Sequence, residues 1–149
     1  MKSKKLSIGS DHGGFDLKQS LIKRLQECGF EVEDKGCFNK DSVDYPDLAK
    51  AVCNDVLENT SDFGVLVCTS GIGMSIAANK IGGIRAALCL SLDAGKFSRL
   101  HNNANVCCLG AKYLDDNTAT EIVKVFAETD FEGGRHERRV AKFMDFEKR

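Results

Sequence analysis

The chain has 149 residues, of which 42% are hydrophobic and 29% charged, enough for one domain with an ordinary core. A formal net charge of −1 and no basic stripe argue against nucleic acid as a partner. Seven cysteines form an odd set with no C-x-x-C pair, which argues against a disulfide framework.

The N-terminal "MKSKKLSIGSDHGG" is positively charged, but its apolar run is too short for a signal-peptide core. Its "KLSIGS" reads as a strand. "GGFDLKQSLIKRLQECG" reads as a helix, with Leu17, Leu21, Leu25 and Cys28 at helical spacing and Gly29 as its stop. "FEVEDKG" alternates as a short strand. "YPDLAKAVCNDVLEN" is a helix with Pro46 in its first turn and Leu48, Val52 and Val56 on one face. "FGVLVC" is continuously apolar, as a strand buried on both faces is. A glycine loop and "MSIAANKI" make a third helix. "IRAALCL" is a strand, "DAGKFSRLHNN" a helix and "ANVCCLG" a fifth strand. "NTATEIVKVFAET" is a helix with Ile122, Val123 and Phe126 inward, and "RHERRVAKFMDFEKR" is a last helix after two glycines. No segment approaches the ~20 apolar residues of a membrane span. The expectation is a cytoplasmic protein without a membrane partner.

This alternation predicts an α/β fold: a single domain over residues 1–149, with a five-stranded parallel sheet, helices on both faces and an extra C-terminal helix. Right-handed crossovers bring every strand-to-helix loop to one sheet edge. Ligands bind there, where the strand order reverses. The loops to weigh are therefore "SDHGG", "CTSGIG", "SLDAG" and "GAKYL".

"VCTSGIGMSIAANK" raises the sharpest chemical question. Its glycines suit a tight turn, but a helix that starts beside a glycine loop also presents free N–H groups to an anion. A dinucleotide fingerprint does not fit, because Ile76 stands where the third glycine belongs. There is no Walker loop, and Met74 occupies the position where a cysteine phosphatase loop needs arginine. Cys68 ends the strand just before this helix. Helix starts favour thiolates, which serve as nucleophiles or bases. The competing reading is a small buried hydrophobe, the default for most of the cysteines.

Asp11 and His12 follow the first strand, as a helix cap or as site residues. His101 and Asn102 end a helix, where such residues are common without function. Arg135 and Arg139 share a helix face, either solvated or paired for a phosphate. Tyr45 sits in "VDYPD", where it either packs on Pro46 or reaches a ligand; Lys112 lies near a loop. The three histidines are scattered, so no metal site is expected. Together these features suggest cofactor-free chemistry on a small phosphate ester.

At "SDHGGFDLK", "DKG", "VDYPD", "CTSGIGMSIAANKIGGIRAALC", "RLHNNANVCCLG" and "EGGRHERRV" the chain resembles the ribose-5-phosphate isomerase type B family, which includes galactose-6-phosphate isomerase subunits. The resemblance covers nearly the whole chain. It implies a Rossmann-like domain and aldose–ketose isomerisation of ribose 5-phosphate through a cis-enediolate, without metal or nucleotide. It implies that Cys68 moves the proton between C1 and C2, that His101 helps open the furanose ring and that Asp11 assists at the sugar hydroxyls. The loop from Ser70 through Gly71 to Gly73 would supply oxyanion donors. His12, Arg135 and Arg139 would hold the phosphate, with Lys112 contributing, while Tyr45 and Asn102 line the sugar site. A homodimer or homotetramer with shared active sites is implied as well.

Two departures stand out. Thr69 occupies a position where the family often has glycine, and Ser70 one where it has threonine, so the hydroxyl is kept but a β-branched side chain enters the turn. Some members use a glutamate base, whose counterpart here falls near Ser75, which leaves the role with Cys68. Three rivals stand beside the pentose reading. They are a hexose 6-phosphate isomerase, a non-catalytic sugar-phosphate binding protein, and a cysteine hydrolase already weakened by Met74.

Overall fold

The apolar run Phe63–Cys68 forms the central strand β3, buried at all six residues. We describe it from a computed structural model covering residues 4–148. Strands β1 (Lys5–Ser10) and β5 (Val106–Gly110) pair parallel to its two sides. The edges are β2 (Glu31–Asp34) and β4 (Ala86–Leu88), which gives the order β2-β1-β3-β5-β4, all parallel, as expected. Alternate residues feed two cores. Val65, Val67, Cys107 and Leu109 face one layer, and Leu66, Cys68, Val106 and Cys108 face the other.

Helices α1 (Phe15–Glu27), α4 (Leu92–Asn102) and α5 (Asp116–Glu128) cover the first face. Ile122, Val123 and Phe126 are fully buried there, as their spacing predicts. Helices α2 (Tyr45–Leu57) and α3 (Ile72–Asn79) cover the second. The last helix, α6 (Arg135–Asp145), packs on α4. Among the described residues, no helix is long and apolar enough to cross a membrane.

Several boundaries differ from the sequence expectation. The first helix is preceded by a 3₁₀ turn, His12–Gly14, because the Asp11 carboxylate accepts the Gly14 N–H at 2.9 Å. Cys28, expected on the inward face, is exposed, because the helix ends one residue earlier and Cys28 caps it. The strand expected across "IRAALCL" shrinks to three residues. There the Asn79 side chain accepts the Ala86 N–H at 2.8 Å and donates to its carbonyl at 2.9 Å, closing the free sheet edge as a neighbouring strand would. The final helix stops at Asp145, and Arg149 lies outside the described residues.

The chain leaves β1 for β2 on one side and reaches β3 on the other. The strand order therefore reverses between β1 and β3. Asp11 and Cys68 stand at the carboxyl ends of those two strands, in the crevice where open α/β sheets take ligands.

Candidate active site

Cys68 is the last residue of β3 and only 5% exposed. Its sulfur accepts the Gly71 N–H at 3.1 Å. Among the described residues it is the cysteine whose sulfur accepts a backbone N–H. Gly71 itself turns with φ +81°, a conformation costly for any residue with a Cβ, and so leads the chain from the strand end into α3. A Cβ there would also stand 2.5 Å from Leu88 Cδ1 and 3.0 Å from the Leu109 carbonyl carbon. The next amide, Ile72 N–H, donates to Ser70 Oγ at 3.2 Å. Two loop amides are thus committed within the loop, and the Ser70 hydroxyl keeps its own proton for donation.

The loop is clamped from β5. Ala111 N–H donates to the Cys68 carbonyl and Lys112 N–H to the Thr69 carbonyl, both at 2.9 Å. Asp11 comes to the same edge, its N–H donating to the Val67 carbonyl at 3.2 Å. His12 follows it, exposed. Thr69, the β-branched departure, sets its hydroxyl against Gly13, so the two loops touch through it. Tyr45, at the start of α2, lays its ring on Gly73; a Cβ on Gly73 would lie 2.9 Å from the ring. Asp11, His12, Tyr45, Cys68, Ser70, Gly71, Gly73 and Lys112 therefore share one edge.

The other expected residues do not join them. Helix α4 runs back from the carboxyl edge, so His101 and Asn102 at its end reach the amino edge of the sheet. Arg135 and Arg139 are there too, exposed on α6. Within one chain the residues expected at the site form two groups at opposite edges. Asn102 also lines a groove of about 610 Å³ with Asn79, Lys80, Arg85, Phe143 and Phe146, away from Cys68.

Two residues that sequence spacing did not mark belong to this second group. His136 is 6% exposed and stacks on His101 with ring centres 4.1 Å apart and planes 11° apart. Glu132 lies 3.6 Å from His101 Nε2. Burial, reinforced by the charges of His101, Arg135 and Arg139, holds the His136 pKa below the usual histidine range. His136 Nε2 is buried without a hydrogen-bond partner. The scattered histidines predicted no metal site, yet one ligand atom from each of His101, Glu132 and His136 lies within 4.8 Å of the others.

Three of the other thiols, Cys53, Cys107 and Cys108, are raised and so are poorly suited to proton transfer. Burial pushes the Cys53 thiol up to about 12. Cys107 is raised by its hydrogen bond with Cys89 and by burial, and Cys108 is raised chiefly by burial. Cys89 is lowered by its hydrogen bond with Cys107, against the opposing effect of burial.

Comparisons with known proteins agree with this architecture. The family model described as Ribose/Galactose Isomerase matches residues 6–143. Ribose-5-phosphate isomerase B of Escherichia coli is 40% identical over 146 residues, covering 98% of each chain. A crystal structure of a ribose 5-phosphate isomerase from Thermotoga maritima superposes with TM-score 0.94 at 48% identity, over 97% of this chain and 99% of the other. The structure of ribose-5-phosphate isomerase B from Mycoplasma genitalium with bound ribulose-5-phosphate gives TM-score 0.93 at 40% identity, over 99% of both chains.

Proposed function

This chain belongs to the ribose/galactose isomerase family, and from that premise we propose that it interconverts ribose 5-phosphate and ribulose 5-phosphate, with Cys68 as the proton carrier. The Escherichia coli relative, named for that reaction, and the Mycoplasma genitalium relative that holds ribulose-5-phosphate support a pentose phosphate as substrate. The observation that carries the role of Cys68 is the Gly71 N–H on its sulfur, at the point where the strand order reverses.

The proton on C2 of the open-chain aldose is weakly acidic because the enediolate it leaves is stabilised by O1. The Cys68 thiolate takes that proton, forming S–H as C2–H breaks, and the electron pair moves towards O1. The Gly71 N–H stabilises the sulfur's charge before transfer. The free proton of Ser70 faces the developing oxyanion, a kind of donor whose loss typically costs about 2.7–4 kcal/mol of barrier. The O2 proton passes to O1 with Asp11 beside the hydroxyls, and Cys68 returns its proton to C1, completing the ketose. His101 assists ring opening, and His12, Arg135 and Arg139 hold the phosphate, whose binding orients the reacting carbons.

The two-edge distribution supports sites shared between copies. His101 and the Arg135–Arg139 pair reach a Cys68 loop only if a second copy brings its amino edge there. Ile72, Ile76, Leu92 and Phe97 are 51%, 59%, 48% and 44% exposed, apolar surface suited to burial in such an assembly. Mixing Cys68→Ala protein with Arg135→Ala protein should restore part of the activity that each variant lacks alone. Failure of every mixture, with both variants folded and assembled, would contradict sharing.

The family description also names galactose, so hexose 6-phosphates are the rival substrates. Comparing kcat/KM for ribose 5-phosphate with galactose and allose 6-phosphates, with EDTA present, separates them. A higher value for ribose 5-phosphate is the expected result, and a clear hexose preference would overturn the pentose assignment.

A further inference from the structure

We propose that His101, Glu132 and His136 form a binding site for one divalent transition-metal ion of the zinc type. The cluster supplies two imidazoles and one carboxylate, a donor set that zinc accepts with its fourth position open. One ligand atom from each residue lies within 4.8 Å of the other two. Ligand atoms around tetrahedral zinc stand roughly 3.3 Å apart, given bonds of about 2.0–2.2 Å. Closing the set therefore takes an inward movement of about 1 Å together with a turn of one imidazole ring.

A second observation points to a ligand independently of that spacing. His136 is 94% buried, as its 6% exposure gives, and its Nε2 has no hydrogen-bond partner. A buried imidazole nitrogen without a partner is costly, and a metal ion satisfies it directly. The other two ligands can move to meet it. The Glu132 side chain is 53% exposed and that of His101 is 37% exposed, so both also give an ion access from solvent. The rings now stack 11° from parallel. A shared ion lies in the plane of each ring, so the His101 ring must turn out of the stack on binding. Arg135 and Arg139 place positive charge against His136 and oppose the ion. The expected site is therefore an exchangeable one, filled at micromolar metal, rather than a permanent structural centre.

Occupation removes His101 from ring opening, so the ion inhibits turnover; this consequence, unlike the binding, rests on the isomerase reading. Titration of metal-free wild-type protein with Zn²⁺ by calorimetry, and with Co²⁺ by visible absorption, is expected to give one ion per chain with tetrahedral Co²⁺ bands. Glu132→Gln, on an exposed side chain, and His136→Gln should each weaken binding by more than about tenfold. Unchanged melting of Glu132→Gln separates a lost ligand from a lost fold. No binding by wild type, or equal binding by a folded Glu132→Gln protein, overturns the site. Zn²⁺ that binds as described but leaves turnover untouched upholds the site and instead removes His101 from the catalytic account.

Discussion

Replacing Gly71 with alanine tests whether the loop is built to hold the Cys68 sulfur. At φ +81° an L-residue costs roughly 1–2 kcal/mol. The added Cβ would meet Leu88 Cδ1 at 2.5 Å, a side-chain end that can yield. It would also meet the Leu109 carbonyl carbon at 3.0 Å and the Gly110 nitrogen at 3.1 Å, backbone of the paired strand β5 that cannot. Overpacking of that kind adds about 1–3 kcal/mol, so the total is about 2–5 kcal/mol. In a domain of this size that lowers Tm by roughly 4–20 °C. The strain also pulls the Gly71 N–H off the sulfur, so kcat should fall while phosphate affinity stays. Thermal unfolding by circular dichroism, beside ketose formation from ribose 5-phosphate, reads both effects. Gly82→Ala is the control, because its nearest neighbour to a new Cβ is Glu147 Oε2 at 3.6 Å, and it should stay within about 0.5 kcal/mol of wild type. A Gly71→Ala protein as stable and active as wild type would show that the loop is not built around Gly71.

Gly73→Ala forces a Cβ to 2.9 Å from the Tyr45 ring, so it should cost about 1–2 kcal/mol in stability and raise KM. In a Tyr45→Ala background that penalty should vanish, and an undiminished penalty in the double-mutant cycle would show that the ring is not the obstacle. Lys18 is fully buried and bound by both Asp34 oxygens at 2.7 and 2.8 Å. Asp34→Ala should therefore cost about 3–5 kcal/mol by urea unfolding, the range for stranding a buried charge; a loss below 1 kcal/mol would show that water reaches the ammonium. The folded-state pKa of Cys53 is raised from 9.0 to about 12, so its protonated form favours the fold. That stability is complete below pH 9, where the unfolded thiol is also protonated, and is lost as pH rises towards 12. Between pH 7 and pH 10, wild type should lose about 1 kcal/mol more than Cys53→Ala in urea unfolding, and equal losses would contradict the shift.

The sheet was legible because its signals are local. Phe63–Cys68 is apolar throughout and lies at the centre, while "EVED" alternates and lies at an edge. The Cys68 loop was legible for the same reason, since sulfur, glycines and helix start are consecutive residues. Cys28 misled because helical spacing carries no information about where the last turn frays. The division of the expected site residues between two edges follows from chain direction: a helix after a parallel strand returns to the amino edge and carries His101 and Asn102 with it. The stack of His101 on His136 had no sequence signal, because it depends on how α6 folds back against α4. Neither did the Gly71 N–H on sulfur, which depends on how the turn at Thr69 and Ser70 folds back on the strand end.

The proposed mechanism turns on Cys68 as the proton carrier. The most direct test is ketose formation from ribose 5-phosphate by wild type and Cys68→Ala, with EDTA present, alongside calorimetric binding of the same sugar and circular dichroism of both proteins. Wild type is expected to turn over, and the variant to fold and bind the sugar phosphate but form no ketose above the uncatalysed rate. A folded Cys68→Ala protein that still isomerises the substrate would contradict that role.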